Sequence, residues 1–460
     1  MESWDVLSDV ALRSRRYLSA IGERRVTPEP YALAGVAELD VPLQDEPRSS
    51  EQIIDELDRI GAPATMAMAG RRFFGFVNSA ALPAALAANW LSTAWEQHGG
   101  FYVCSPASST LERVALCWII ELLGLPAECT GAFVTGTSMG DVVSLAAARW
   151  SVLSRIGWDA DSDGLFGAPP ITVVVGSEAH STLFKALGIV GLGRRRVVTV
   201  PSDAEGRMRA DVLPPISGPT IVCLQAGNVN TGASDPFREI IDHVRASGAP
   251  AWVHVDGAFG LWARATPTRA HLVEGVELAD SWASDAHKWL NTPYDCGMAF
   301  VRDGTAIRQS MQLTAAYLPG STENVNYCDY TPEGSRRPRG VDAWAALRSL
   351  GRQGVAELVE RHCRLAARFA DALRAAGIHV LNDVVLNQVL VSFGDAERTR
   401  KVIAAIQEDG TCWCGVTVWQ GVTAMRISVI AWGTTEADVD RSVAAMLRIA
   451  RDHSDERRSG

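Results

Sequence analysis

Between residue 51 and about residue 310 the chain alternates between short, unbroken apolar runs and longer stretches of helical character. The runs lie at 132–135, 171–175, 196–200, 220–224, 251–255, 281–283 and 298–301, and segments such as 141–149 carry the helical pattern between them. Strands that are apolar on both faces and separated by helices predict a mostly parallel, seven-stranded α/β sheet covered on both sides. In such a sheet ligands bind beyond the carboxyl ends of the strands.

The flanking regions follow other patterns. Residues 1–50 mix helix-like stretches with Pro28, Pro30, Pro42 and Pro47 and show no sheet pattern. They read as a helical arm that packs on a partner subunit, or else as a frayed terminus. Residues 311–340 are rich in Pro, Gly, Ser, Asn and Tyr and read as a long loop, a feature that in an enzyme is usually functional. A helical pattern follows over 341–376, then strands at 387–393 and 424–429 and a closing helix capped at Thr434-Thr435. The division this predicts is an arm (1–50), a large domain (51–310), an active-site loop (311–340) and a small α+β C-terminal domain (341–460).

Composition changes this picture little. A chain of 460 residues, 47% hydrophobic and 21% charged, is ordinary globular material for two or three subdomains. The net charge of −10 argues against nucleic acid or anionic membrane as the main partner. The N-terminus carries no signal-peptide pattern and no window is apolar enough to span a bilayer, so a cytoplasmic protein is expected. Nine scattered cysteines read as reduced thiols. Cys412-Trp-Cys414 lacks a second pair and a nearby histidine, so no metal site is expected.

The chemistry concentrates at two strand ends. In Ser284-Asp-Ala-His287-Lys288-Trp289 a lysine follows a histidine just past an apolar strand. In His254-Val-Asp256-Gly-Ala-Phe259 an aspartate ends the preceding strand. A strand-end lysine and a strand-end carboxylate, one βα unit apart, are what a pyridoxal phosphate enzyme requires: an amine to hold the cofactor as an imine and an anion for the pyridinium nitrogen. Burial and a neighbouring cation lower a lysine pKa, as imine formation needs. Asp256 would serve equally well as a helix N-cap. Gly136-Thr137-Ser138, between a strand and a helix, offers backbone N–H groups and hydroxyls to a phosphate. Many strand–helix turns look the same.

These motifs resemble those of the group II pyridoxal-phosphate-dependent amino-acid decarboxylases, the aromatic-amino-acid, histidine and glutamate decarboxylases of fold type I. The similarity runs from about Arg71 to about Val439. It implies the aspartate-aminotransferase fold, pyridoxal 5'-phosphate as cofactor, α-decarboxylation of an L-amino acid to an amine, and a homodimer with active sites at the subunit interface. It assigns His180 to the face of the cofactor ring, Ser284 to the phosphate, His287 to the cofactor site and Asn228, in a Gly- and Asn-rich turn, to the neighbourhood of the ring hydroxyl. It places Phe76 and Tyr102 among substrate-lining positions and Arg426 as a candidate for a substrate carboxylate. Tyr330 is its candidate proton donor to the α-carbon, with Tyr327 and Tyr317 competing. One position departs from the family. Gly140-Asp141 stands where an Ala-Asn pair or similar is usual, and Asp141 is expected to turn away from the phosphate or to cap the helix.

Three other readings stay open at this stage. One is a different fold type I reaction: oxidative deamination coupled to decarboxylation, aldol cleavage or amino transfer. A second is a non-catalytic homologue. The third is a dinucleotide-binding oxidoreductase, although Gly191-Leu-Gly193 precedes a strand and not a helix.

Overall fold

The computed structural model describes residues 4–318 and 324–455. The chain forms two compact units. One comprises Met1–Ala80, Leu365–Leu381 and Val389–Gly460; the other comprises Ala81–Arg364 and Asn382–Gln388. Residues 51–80, expected with the large sheet, therefore group with the C-terminal region. The reason is a backbone pairing with no sequence periodicity of its own. The Phe74 N–H donates to the Trp413 carbonyl and the Ser428 N–H donates to the Phe74 carbonyl. Phe73 stacks on Trp413 with ring centroids 5.0 Å apart. The boundary expected at 341 falls instead inside the helical stretch Gly340–Ala375, which is broken at Gly351 (φ 63°).

The larger unit holds a seven-stranded sheet: β1 (Thr130–Val134), β2 (Thr172–Gly176), β3 (Val197–Val200), β4 (Thr220–Gln225), β5 (Ala251–Asp256), β6 (Ser281–Asp285) and β7 (Gly297–Val301). Their order is β1-β7-β6-β5-β4-β2-β3. β2 to β6 pair in parallel, whereas β7 runs antiparallel to both its neighbours. β4 to β7 are almost wholly buried, which explains their continuous apolar sequence. The helix Thr137–Ser154 lies across one face and buries most of its own residues. Its close approach needs Gly140, where a Cβ would come within 2.8 Å of the Met298 carbonyl oxygen.

The smaller unit contains a four-stranded sheet of β8 (His379–Val380), β9 (Gln388–Ser392), β10 (Gly415–Trp419) and β11 (Val422–Ser428), in the order β10-β11-β9-β8. Its helix Ala396–Asp409 is capped by Asp395, whose side chain accepts from the Arg398 N–H, and stops at Gly410 in the left-handed conformation. In the closing helix Glu436–Asp455 the cap is Thr435, which exchanges hydrogen bonds with Asp438. Thr434 instead donates its hydroxyl to the Arg71 carbonyl. The N-terminal helix Asp5–Ala20 buries none of its residues, and Leu7, Leu12 and Leu18 stand exposed. No helix among the described residues is long and apolar enough to cross a membrane.

Candidate active site

Lys288 sits in a knot of turns between β6 and β7. The backbone N–H groups of Ala286 and His287 both donate to the Cys296 carbonyl. Asn291, in the left-handed region that asparagine tolerates, closes the turn by donating Nδ2 to the Trp289 carbonyl at 2.8 Å. The sequence contains three lysines, Lys185, Lys288 and Lys401. Lys185 and Lys401 are exposed; only Lys288 is shielded, with 19% of its side chain accessible.

Its partner was not anticipated. Asp285, the last residue of β6, is buried and holds Lys288 Nζ at 3.0 Å. It also accepts the Thr137 N–H at 2.7 Å and lies 3.6 Å from His287 Nε2. Burial alone would raise its pKa, but Lys288, His287 and the Thr137 N–H outweigh burial and hold it below the usual carboxylate range. The signal was available: an acid ends an apolar strand three residues before the lysine, the same logic that picked out Asp256.

Asp256 ends β5 in register with Ala283 of β6. Its Oδ1 accepts the Ala258 N–H at 3.2 Å, so it does cap the following turn. Burial pushes its pKa up, while His180 and Lys288 pull it down. His180 and Asp256 line one pocket, together with Cys223 and Asp235. His180 caps the helix Ser181–Ile189. The Thr182 N–H and hydroxyl both meet its Nδ1, which leaves the ring proton on Nε2. In His287, Nδ1 accepts the Cys296 N–H at 3.1 Å, so its proton also sits on Nε2, toward Asp285.

Two expected contacts are already engaged elsewhere. The Ser284 hydroxyl donates to the Gly257 carbonyl at 2.9 Å and ties the ends of β5 and β6 together. Asn228 is consumed by its own turn. Its Oδ1 accepts from the N–H groups of Asn230 and Thr231, and its Nδ2 donates to the Glu178 carbonyl. Of the two expectations for Asp141, capping fails, and the side chain instead turns to the sheet. It is wholly buried, 3.1 Å from His254 Nε2, because it lies in the second turn on the face turned to the sheet.

The tyrosines of residues 311–340 fall differently from the expectation. Tyr327 is buried, with the Arg336 guanidinium 5.6 Å from its ring centre. Arg336 is itself anchored by Glu112 at 2.9 Å and by the Gly99 carbonyl. Tyr330 packs against the sheet core, near Thr130 at the start of β1. Thr130 is level with Val301 of β7 and, through it, with Ser281 of β6, four residues before Asp285. At a strand rise of roughly 3.3 Å per residue that end of the sheet is about 13 Å from the Asp285 end. Tyr330 is therefore not brought to Lys288 of its own chain. Tyr317 is the exposed one, at 85%. In the stretch 327–340 half the residues are buried and two, Pro332 and Ser335, are exposed, so it is no free loop; Thr322, which opened the expected mobile segment, lies outside the described residues. Tyr102 is half-buried in the sheet unit, whereas Phe76 and Arg426 belong to the smaller unit.

The donors present fit a phosphorylated pyridoxal. The Thr137–Ser154 helix has no side-chain cap, and its first hydroxyl, Thr137 Oγ1, is buried without a hydrogen-bond partner. Such an N-terminus is an anion site. A shielded lysine and a buried strand-end carboxylate share the unit with it.

Comparison with known proteins agrees. Residues 33–394 match the pyridoxal-dependent decarboxylase conserved domain. The chain is 30% identical over 365 residues to tryptophan decarboxylase 1 of Oryza sativa subsp. japonica, covering 72% of this chain and 70% of that one. It is 26% identical to the 4-hydroxyphenylacetaldehyde synthase of Rhodiola rosea, over 78% and 75% of the two chains. The structure of Oryza sativa TDC with PLP and tryptamine superposes with a TM-score of 0.88 at 25% identity, over 97% of each chain. The chain belongs to the pyridoxal-dependent decarboxylase family. It is a carboxy-lyase that uses pyridoxal phosphate to convert an amino acid to its amine and CO2.

Proposed function

We propose that the substrate is an aromatic L-amino acid and that Lys288 and Asp256 carry the reaction. The observation that carries the reading is the placing of the one shielded lysine and a buried carboxylate at the carboxyl ends of adjacent parallel strands. The tryptophan decarboxylase relative and Tyr102 support the aromatic side chain. When bound, pyridoxal phosphate supplies an electron-accepting ring that takes up the electron pair left as CO2 departs.

In this reading Lys288 holds the cofactor and Asp256 keeps its negative charge beside the ring nitrogen. The turn Gly136-Thr137-Ser138 binds the phosphate, with the Thr137 hydroxyl as its buried donor. His287 and Asp285 fix the position and charge of Lys288. His180, protonated on Nε2, would face the ring, as the family resemblance implies. Arg426 is, by the family resemblance, the candidate for the substrate carboxylate. It makes no side-chain hydrogen bond or ion pair among the described residues, and burial draws its pKa down to about 10, the condition of a guanidinium in want of an anion. Phe76, 60% exposed with its ring over Trp413, contributes apolar surface. Tyr317, and not Tyr330, returns the proton to the α-carbon, since it is the one tyrosine of the three that its own chain leaves exposed.

The assembly we propose is a cytoplasmic homodimer. The uncovered apolar face of the helix Asp5–Ala20 supports it, as do nine free cysteines. Incubation with each of the twenty amino acids, scoring amine, CO2 and aldehyde, tests the reading. Amine from tryptophan, tyrosine or phenylalanine with equal CO2 is expected. Release of CO2 from acidic amino acids alone would refute the aromatic assignment, and aldehyde as the main product would refute simple decarboxylation.

A further inference from the structure

One layer beneath the strand ends lies a second polar chain. Asp141 and His254 are both fully buried, with Asp141 Oδ1 3.1 Å from His254 Nε2. His254 Nδ1 lies 3.0 Å from Ser281 Oγ, and that oxygen accepts the Trp252 indole N–H at 2.8 Å. The other Asp141 oxygen, Oδ2, is buried and has no hydrogen-bond partner. The titratable groups around Asp141 are His254 and Asp256 on β5, Asp285 on β6, Lys288 after it and Cys223 on β4.

Counting protons decides the charge. Burial lowers the His254 pKa to about 3, so its ring is neutral. Suppose Asp141 were an anion. His254 would donate from Nε2, and a desolvated carboxylate would stand with one oxygen unpaired beside two further carboxylates. That arrangement is costly. Suppose instead that Asp141 carries the proton on Oδ1. It then donates to Nε2, Nδ1–H donates to Ser281 Oγ, and the orphaned Oδ2 is only a neutral carbonyl oxygen. Burial first, then Asp256 and Asp285, push Asp141 well above the usual carboxylate range, in agreement.

We propose that Asp141 is a neutral carboxylic acid that donates its proton to His254 and serves as a positioning residue behind Asp256. His254 and Asp256 are two residues apart on β5, so their side chains leave the same face of the strand. The clamp on His254 fixes the strand segment that carries Asp256. The neutral acid also adds no third negative charge to Asp256 and Asp285. The positioning role rests on the reading of Asp256 as the partner of the ring nitrogen; the protonation of Asp141 does not.

The test uses the holoenzyme with Asp141→Asn and Asp141→Ala. An asparagine keeps an N–H for His254 Nε2 and a carbonyl oxygen, with no charge. Asp141→Asn is expected to hold cofactor affinity within about threefold of wild type and to leave the pH titration of the bound cofactor's visible band in place. Asp141→Ala, which leaves Nε2 without a donor, is expected to weaken cofactor binding by about tenfold. Melting temperature gives the signed readout. In the unfolded chain Asp141 ionises near pH 4, whereas in the folded chain it stays protonated. Wild type thus loses stability relative to Asp141→Asn as pH rises, about tenfold in the unfolding constant per pH unit. The melting point of Asp141→Asn should lie above that of wild type, and the gap should widen from pH 6 to pH 8. A gap that stays constant or narrows, or a visible-band titration moved by a full pH unit in Asp141→Asn, overturns the proposal. If the Asp256 reading alone is wrong, Asp256→Asn will titrate like wild type while the widening gap remains.

Discussion

The ends of β5 and β6 and the stretch 311–340 were both marked as functional, and the structure treats them in opposite ways. At the strand ends, alternation fixes which side chains share a face, so it places Asp256 and Asp285, and Lys288 follows three residues on, held by the turn bonds to Cys296 and by Asp285. In 311–340 no periodicity exists, and three tyrosines with equal claims in sequence have three different fates. Tyr327 is core, Tyr330 lies against the far end of β1, and Tyr317 is exposed. A strand constrains a reactive group through its repeat; an irregular segment constrains it only through the anchors it finds, here Glu112 and Arg336.

The comparison breaks most sharply at Lys288. Replacing it by alanine should cost at least about 10⁴-fold in amine formation and abolish the visible band, because no second shielded lysine is available to substitute. Turnover within tenfold of wild type would move the chemistry away from the β6 end. The anchor is next. Arg336→Met strips the partner from Glu112, which is fully buried, and should destabilise the protein by about 3–5 kcal/mol. Thermal melting measures this, and a loss below about 1 kcal/mol would mean that 327–340 is held by something else. Asp256→Asn should retain bound cofactor yet lower turnover by about 10²–10³-fold, since a neutral amide no longer favours the ring nitrogen's proton. Near-normal turnover would leave Asp256 as no more than the cap of Ala258.

Tyr317→Phe should slow amine formation by about 10²-fold with unchanged melting, as expected for a proton donor with no role in packing. Tyr330→Phe should leave turnover intact and change stability by no more than about 1 kcal/mol, since the ring keeps its packing on the sheet core. If Tyr330→Phe were the slow variant, the assignment of the two tyrosines would have to be exchanged.

The same contrast marks what could be read in advance. All seven strands of the large sheet were legible as short apolar runs, most of them because a strand covered on both faces is apolar without a break; β3, half exposed at the sheet edge, still keeps its β-branched run. β10 was not foreseen: Gly415–Trp419 alternates exposed and half-buried residues in an edge position. Nor was the pairing of Phe74 with Trp413 and Ser428, a backbone event between segments more than three hundred residues apart. At the site, Lys288, Asp256 and Thr137 were legible as residue types at strand and helix ends. What a hydroxyl or amide would be spent on was not. Ser284 and Asn228 look available in sequence, and both are satisfied by neighbouring backbone. Asp285 was missed, and the burial of Asp141 against His254 was not foreseen, for a related reason. An acid in a helix or at a strand end reads as a cap until its burial is known.

The most direct measurement is chemical trapping. The protein is loaded with pyridoxal phosphate, reduced with borohydride and digested, and the labelled peptide is sequenced by mass. With only Lys185, Lys288 and Lys401 in the chain, the outcome is unambiguous. The account predicts a single phosphopyridoxyl group on Lys288; label on Lys185 or Lys401 in its place, or none at all, would contradict it.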